Sequence, residues 1–366
     1  MDRRRFLKGS AASLMSLSAL PGLTKAQPHG GGWLTGFGGA GGAFGAARID
    51  ADLSVTPVLS SRMRLHDVLL SPDGRDIVAP ARRPGDVLNV ARGDGETFVI
   101  EAPADRHYFG HGAYSHDGAH LFVTENDFDN ERGVVGVYDV TADYKRIDEF
   151  PGHGTGPHEL RLSPDGQHLV VANGGILTHP DTGRAKLNLD TMKPNLTLLE
   201  IETQRPVDSV ELPEKWHQLS IRHMALTPHG DIVFGMQDQQ KPYGNRPVAG
   251  IWRMGRAPTM FEAPQGGWAV LKGYVGSVAI DTSGQIAVAA SPRGGVAVFW
   301  DIASARVVGA LRAADVCGVA ATSQAKAFVM TTGMGTILMV DVTSSGVEIR
   351  RTASSSVWFD NHCHMA

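Results

Sequence analysis

The chain alternates between tight polar turns and short runs in which apolar and β-branched residues dominate. One segment recurs in six copies, each ending in a Ser/Thr-x-x-Gly turn or a variant of it. In the copy Ser71-Pro72-Asp73-Gly74 the proline presets φ, the aspartate bonds the local backbone and the glycine takes a positive φ. No long helical period occurs after residue 30. The pattern therefore predicts an all-β domain.

The spacing of the turns predicts the architecture. The turns begin at Ser71, Ser115, Ser163, Thr227, Thr282 and Thr322. They are 44, 48, 64, 55 and 40 residues apart, and repeats of about 40–50 residues made of short strands are typical of propeller blades. The C-terminal segment VWFDNHCHM resembles an inner strand without a blade of its own. The N-terminal segments GGWLTGFGG and GAARIDADL resemble outer strands without an inner strand. We predict a single seven-bladed β-propeller over residues 27–366, closed by strands from both termini.

The widest spacing reflects an insertion over residues 174–194. A long polar excursion in a compact repeat is often functional, so we expect a lid over a site. We predict ligand-binding side chains in and beside it, namely Asn173, His179, Arg184 and Lys186. The alternative is a segment that only packs on its neighbours.

Residues 1–26 resemble an export signal. The run RRRFLK (3–8) is a close match to a twin-arginine motif. A stretch of small and apolar residues follows, too short to span a bilayer, and a candidate cleavage site ends at Ala26. The sequence predicts twin-arginine export, a periplasmic location and no membrane span after removal of the signal.

The charge of the remaining chain limits its partners. Residues 27–366 hold 29 Lys and Arg against 37 Asp and Glu, a net charge of −8 with histidine neutral. This balance argues against nucleic acid and anionic membranes, and we expect a monomer. The two cysteines, Cys317 and Cys363, fall in the last two copies of the repeat, which a ring would place side by side. A disulfide between them stays open, because adjacent inner strands can be too far apart.

Four copies of the repeat carry a histidine a few residues before the turn. The first strand of each propeller blade lines the central channel, so these imidazoles would crowd its mouth. Imidazole suits Zn, Cu, Fe and Ni. Another histidine stands in the C-terminal strand segment. We predict five metal ligands, which are His66, His111, His158, His223 and His362.

The register of these histidines argues against one symmetric ring. Two of the four stand eight residues before the turn glycine and two stand seven before it, and a one-residue shift turns a strand side chain to the opposite face. The neighbouring position is also polar in most copies, as Asp67, Glu159 and Arg222 show, and we predict that these bind ligand. The expected site is an asymmetric, His/Asp/Glu-rich channel mouth. The alternative is structural, with each histidine bonded across the blade to a buried partner.

Several motifs resemble one family of twin-arginine-exported bacterial propeller proteins. They are HG-x-GPHEL (153–160), VANGGI-x-THP (171–180), LSIRH (219–223), SPRGG (291–295) and FDNH (359–362). The family is uncharacterised, a domain of unknown function. It is similar in architecture to the quinoprotein amine dehydrogenase β-chain and to other YVTN/WD-type propellers. The resemblance runs from about residue 33 to the C-terminus.

The resemblance implies a setting for the protein. Genes of this family tend to accompany imelysin-type and di-haem peroxidase-like proteins, which implies a role in iron acquisition and a partner of one of those kinds. It carries over no catalytic residue. We interpret the chain as a non-enzymatic binder of a metal ion (Fe, Cu or Zn) or of a metal-bearing partner. The alternatives are a metal-dependent lactonase-like hydrolase or oxidoreductase subunit, and an interaction scaffold with structural histidines.

Overall fold

The computed structural model describes residues 31–83, 85–183 and 185–366. The predicted signal at 1–26 and the predicted ligand-binding residue Arg184 lie outside the described residues. The described chain forms seven four-stranded antiparallel sheets. This confirms the predicted all-β, seven-bladed propeller.

The strands are numbered in chain order, and each sheet is one blade. Blade 1 is built from both ends of the described chain, and blades 2 to 7 follow in sequence. Blade 1 contains β1 (Gly32–Gly38), β2 (Phe44–Asp50), β3 (Val55–Ser61) and β28 (Trp358–Met365). Blade 2 contains β4 (Leu69–Leu70), β5 (Ile77–Pro80), β6 (Val87–Ala91) and β7 (Thr97–Glu101). Blade 3 contains β8 (Arg106–Tyr114), β9 (His120–Asp127), β10 (Arg132–Asp139) and β11 (Lys145–Pro151).

Blades 4 to 7 have the same plan. Blade 4 contains β12 (Pro157–Leu162), β13 (His168–Asn173), β14 (Asn195–Glu200) and β15 (Pro206–Glu211). Blade 5 contains β16 (Leu219–Leu226), β17 (Ile232–Asp238), β18 (Ala249–Trp252) and β19 (Thr259–Met260). Blade 6 contains β20 (Ser277–Ile280), β21 (Ile286–Ser291), β22 (Val296–Asp301) and β23 (Arg306–Arg312). Blade 7 contains β24 (Val316–Ala321), β25 (Ala327–Thr332), β26 (Thr336–Thr343) and β27 (Gly346–Ser354).

Short 3-10 helices occur in the connections. They span Ala40–Gly42, Val140–Ala142, Pro180–Thr182, Leu189–Thr191, Glu214–Trp216 and Trp268–Leu271. Two of them lie in the 174–194 segment, which joins β13 to β14. Over the described residues, no helix is long and apolar enough to cross a bilayer.

The repeated turn has the chemistry that its sequence predicts. Gly74 has a φ of 73°, and its N–H donates to the Ser71 carbonyl oxygen at 2.8 Å. The Ser71 hydroxyl donates to Asp73 Oδ1 at 2.6 Å and accepts from the backbone N–H of Asp76 at 2.8 Å. The turn thus satisfies its own backbone and joins the first strand of the blade to the second.

The middle strands of the blades supply the core. All six residues of β21 are buried, whereas the outer strand β23 shows partial, alternating exposure. Large side chains fill the space between neighbouring blades, as where the rings of Phe261 and Trp300 stack 5.1 Å apart. The middle strands are apolar on both faces because each face packs against another blade. Inner strands contact their neighbours around the ring, including β24 against β28 and β8 against β12.

Blade 1 is closed by a strand from the C-terminal end. The inner strand β28 pairs with β1, and the Thr35 hydroxyl donates to the His362 carbonyl oxygen at 2.7 Å. Phe359 is 1% exposed. Cys317 and Cys363 are both buried and both free thiols. The pairing of β1 with β28, which we call the seam, is part of the hydrophobic core rather than a frayed end.

Removal of the Phe359 ring tests whether β28 is integral to the fold. We expect Phe359→Ala to lower the free energy of unfolding by about 3–5 kcal/mol, because it leaves a cavity at a buried position. Ile349→Ala is the control, since Ile349 is 48% exposed on β27 and surface changes stay within about 0.5 kcal/mol. Denaturant titration measures both. Equal losses for the two variants would contradict the closed seam.

Candidate functional site

Five imidazole rings meet where the inner strands of blades 1 to 5 converge. All five are buried, and the most exposed, His158, is 8% exposed. Ring centroids lie 4.6 Å apart for His111 and His362 and 6.4 Å apart for His66 and His223. We call this group the histidine cluster: His66, His111, His158, His223 and His362. The structure thus brings together all five residues that the sequence predicts as metal ligands.

The register difference does not separate the rings, because the inner strands are irregular at this level. β-Bulges interrupt the pairing of β8 between Tyr108 and Gly112 and that of β16 between Ile221 and His223. His66 lies before β4, in a stretch held by isolated backbone contacts. A bulge re-aims a side chain that the two-residue period would turn away. Strand periodicity alone could not foresee this.

Gly110 makes room for the His66 ring. Its φ is 102°, and a Cβ at this position would lie 2.6 Å from His66 Cδ2 and 3.0 Å from His66 Cβ. Gly110 stands at the position in blade 3 that His66 and His158 occupy in their own copies. Because Gly110 has no side chain at this level of the channel, the imidazole of His66 from the neighbouring blade occupies the space.

Two carboxylates hold Nδ1 of His111 and His223, which we call the outer nitrogen of these rings. His111 Nδ1 lies 2.9 Å from Asp67 Oδ2, and His223 Nδ1 lies 3.1 Å from Glu159 Oε2. Each pair joins neighbouring blades. Burial would raise the pKa of Glu159, but Arg161 and the imidazoles of His111 and His223 lower it to about 2. An ionised carboxylate only accepts, so Nδ1 carries the proton in both rings.

Four other nitrogens of the cluster, which we call the inner nitrogens, have no hydrogen-bond partner in the described chain. His66 Nδ1 and the Nε2 atoms of His111, His223 and His362 are buried and make no hydrogen bond within the described part of the chain. Burial lowers the pKa of His223 to about 4 against the opposing effect of Glu159. Burial, together with repulsion from neighbouring imidazoles, holds the pKa of His66 and His362 well below the ordinary value. These three rings are neutral at pH 7. His223 therefore presents a free lone pair at Nε2.

Ligand-type atoms of these residues lie close together. One atom from each of His66, His111 and His362 lies within 4.8 Å of the other two, and the same holds for His111, His158 and His223. Two nitrogens each about 2.0–2.1 Å from one ion are at most about 4.2 Å apart. The spacing within each group is therefore close to that of ligands on one ion.

The remaining predicted residues divide between the cluster, a pocket and the scaffold. Asp67 and Glu159 stand behind the cluster. Lys186 and Arg222 line a pocket next to it. The other two make local contacts: Asn173 donates to the Gly152 carbonyl oxygen at 2.8 Å and to Asn195, and His179 packs on Phe128.

A basic pocket adjoins the histidine cluster. Its volume is about 380 Å³, and His66 and His158 belong to its wall as well as to the cluster. The pocket is positively charged, and no carboxylate among the described residues lines it. Its basic residues are Arg82, Arg83, Lys186, Arg222 and Arg293. Lys186 is the contribution of the 174–194 segment.

The predicted metal ligands and ligand-binding residues leave out several other residues of the site. His364, two positions after His362 and with its ring parallel to it, bonds to Asp67 through Nε2. Arg161 donates to Glu159 Oε1 at 2.7 Å. Arg293 lies in the SPRGG motif, one of those that resemble the family, but none of the predicted site residues came from it. Arg82 and Arg83 lie outside every motif.

The space beside Gly110 can be tested with a matched pair of variants. Gly110→Ala and Gly95→Ala both force alanine to a similar positive φ, 102° and 97°, but Gly95 has open space around its Cβ position. We expect each to lose about 1–3 kcal/mol of stability from the backbone. Gly110→Ala should lose about 1–3 kcal/mol more, because the added methyl overpacks the His66 ring. Thermal unfolding measures both, and equal losses would show that the ring moves freely aside.

Solved structures with a similar architecture include WD40 propellers. The structure of U3-55K is 11% identical with a TM-score of 0.59, covering 83% of this chain and 85% of that one. The WD40 repeats of RRP9 match at 12% identity and a TM-score of 0.59, covering 83% and 84%. A chain of the mitotic checkpoint complex matches at 15% identity and 0.58, covering 79% of each. At these identities the likeness shows the fold alone. No curated protein matches the chain.

One protein family covers most of the sequence. The family described as "Protein of unknown function (DUF1513)" matches residues 59–366. The match includes the whole histidine cluster, both carboxylates behind it and the basic pocket. It agrees with the expectation of an uncharacterised propeller family, and its description assigns no activity. The chain therefore belongs to the DUF1513 family of proteins of unknown function.

Proposed function

We propose that this protein binds one transition-metal ion at the histidine cluster. The observation that carries the proposal is the set of four buried imidazole nitrogens without a hydrogen-bond partner among the described residues. These nitrogens belong to rings that face one another from four blades. A divalent ion bound by His66, His111 and His362, whose ligand atoms lie within 4.8 Å of one another, would give three of these rings a bond.

The cost of leaving these atoms unpaired favours a ligand over a purely structural role. A buried polar atom without a partner costs about 1–3 kcal/mol, so four cost about 4–12 kcal/mol, against a typical domain stability of about 5–15 kcal/mol. Within the described chain, the rings of His111 and His223 bond across the blades through Nδ1 only. Their other nitrogen is left for a ligand.

The donor set and its surroundings indicate the kind of metal. The rings offer only imidazole nitrogen, which suits Fe, Cu and Zn. Asp67 and Glu159 hold the outer nitrogens of His111 and His223, and carboxylates in that position orient metal-binding histidines and raise their basicity. The carboxylates also balance the charge of the ion. We propose Fe²⁺, Cu²⁺ or Zn²⁺ as the occupant.

We further propose that the protein works in the periplasm after twin-arginine export, which carries folded proteins and so allows the metal to be bound first. The motif RRRFLK at residues 3–8 supports this. A role in iron acquisition, beside an imelysin-type or haem-peroxidase-like partner, is the setting we propose. It is supported by the resemblance of the motifs at 153–160 and 359–362.

Metal content tests the proposal directly. We expect the native protein to hold about one metal equivalent, and metal added at 100 times its Kd to stabilise it by about 2.7 kcal/mol. The double variant His66→Gln, His223→Gln should lose at least about 100-fold in affinity, since it lacks two direct ligands. Glu159 keeps Arg161 as a partner in this variant, so the fold should persist. Elemental analysis measures the metal content, and calorimetry measures the gain in stability and the affinity.

An exposed histidine provides the matched control. His229→Gln changes a turn residue at the surface and should leave metal content unaltered. If the native protein takes up no Fe, Cu or Zn and the double variant is merely less stable, the histidines are structural. Ordered water would then occupy the cluster.

A variant of Asp67 tests whether the carboxylates behind the histidine cluster contribute to metal binding. Asp67→Asn keeps the size of the side chain but removes its charge, so we expect metal affinity to fall about 10–100-fold. The control is Asp94→Asn, at an exposed hairpin position where the side chain caps the Glu96 N–H at 2.9 Å. Competition against a chromogenic chelator measures the affinity. An unchanged Kd would show that Asp67 does not act through His111.

A further inference from the structure

The basic pocket beside the histidine cluster has more positive charge than the protein neutralises. Of its five basic residues, Arg82 has a clear acidic partner, donating to Asp360 Oδ1 at 2.7 Å. Within the described residues, no carboxylate pairs with Arg222, Lys186 or Arg293. Charged groups at a partly enclosed site are normally paired. The missing counter-charge points to an anionic ligand.

The existing contacts of these three side chains leave donors free. Arg293 donates to the Tyr243 hydroxyl at 3.0 Å, and Lys186 donates to the side-chain oxygen of Gln239. Arg222 Nε is buried and has no hydrogen-bond partner in the described chain. An arginine fork and a lysine ammonium present the geometry that binds carboxylate or phosphate oxygens.

The electrostatics of the pocket agree with this geometry. Arg83 and Arg293 repel the buried guanidinium of Arg222. Burial lowers the pKa of Lys186, together with repulsion from Arg222, Arg293 and Arg83. These cations destabilise one another, and a bound anion would remove that repulsion.

Two residues belong to both the pocket and the histidine cluster. His66 and His158 line the pocket, while Asp67 and Glu159 contact the cluster but do not line the pocket. An ion held by the cluster would therefore be approached from the basic side. A volume of about 380 Å³ is near the lower end of small-molecule pockets, about 300–1,000 Å³.

We propose that the basic pocket binds a small oxyanion with two or more negative charges, which supplies an oxygen ligand to the metal in the histidine cluster. This inference rests on the proposed metal site. Carboxylate and phosphate share the required chemistry, so a tricarboxylate such as citrate and inorganic phosphate serve as separate probes. Acetate, with a single charge, is the weak-binding comparison.

The test uses the full protein loaded with Cu²⁺, whose visible absorption band reports a new oxygen ligand. We expect citrate or phosphate to shift the band and to saturate at one equivalent. The variant Arg222→Gln, Lys186→Gln should bind the oxyanion at least tenfold more weakly while retaining its copper. The control Arg306→Gln, on the outer strand β23, removes one exposed positive charge and should bind as the native protein does. Calorimetry gives the affinities.

The outcomes separate this inference from the metal proposal. Copper bound with no saturable oxyanion binding, or with equal affinity in the double variant, overturns the inference and leaves the metal site standing. Oxyanion binding that does not shift the copper band, and is as tight without copper, overturns the role of metal ligand. Failure of the native protein to take up Fe, Cu or Zn overturns both proposals.

Discussion

Two hydrogen-bonded pairs of carboxylate and imidazole, Asp67 with His111 and Glu159 with His223, are the contacts on which the centre of this propeller depends. Each pair joins one blade to the next, so it fixes ring orientation and blade position together. Without them, Nδ1 of each ring would be buried and unpaired, and Asp67 and Glu159 would be left with His364 and Arg161 as partners, at a cost of several kcal/mol. With them, the outer nitrogen of each ring is satisfied and the inner nitrogen is directed to the centre. The fold and the site are thus specified by the same interactions.

The charges around the cluster are arranged unevenly. Anionic side chains contact it away from the basic pocket, while Arg222 and Lys186 lie on the pocket side. An ion in the cluster would have its charge balanced by Asp67 and Glu159, and a ligand would approach through positive potential. Such a field raises the rate at which an anion arrives and falls off with ionic strength. The propeller architecture makes this possible, because neighbouring blades place different residues at the same level of the channel.

The architecture could be predicted from the sequence, but the details of the site could not. The recurring turn, exemplified by Ser71 to Gly74, and the 40–50-residue spacing were enough to count blades and to assign the C-terminal strand to blade 1. The five histidines could be chosen because they recur at one place in the repeat. Their convergence depends on β-bulges and on the bare backbone of Gly110, which leave no periodic signal. The basic pocket collects Arg82, Lys186 and Arg293 from distant segments, and only the tertiary structure shows that they are neighbours.

The closure of blade 1 has a consequence for the folding pathway. Thr35 and His362 are bonded although 327 residues separate them, so one blade depends on contacts of very high sequence separation. Such contacts form late, because the entropy of closing the loop must be overcome first. His362 enters the cluster with this strand, which means that the full set of five rings exists only after the ring of blades has closed. An ion that prefers the complete set would bind the finished fold over its partly folded forms, and would thereby slow the opening of the seam.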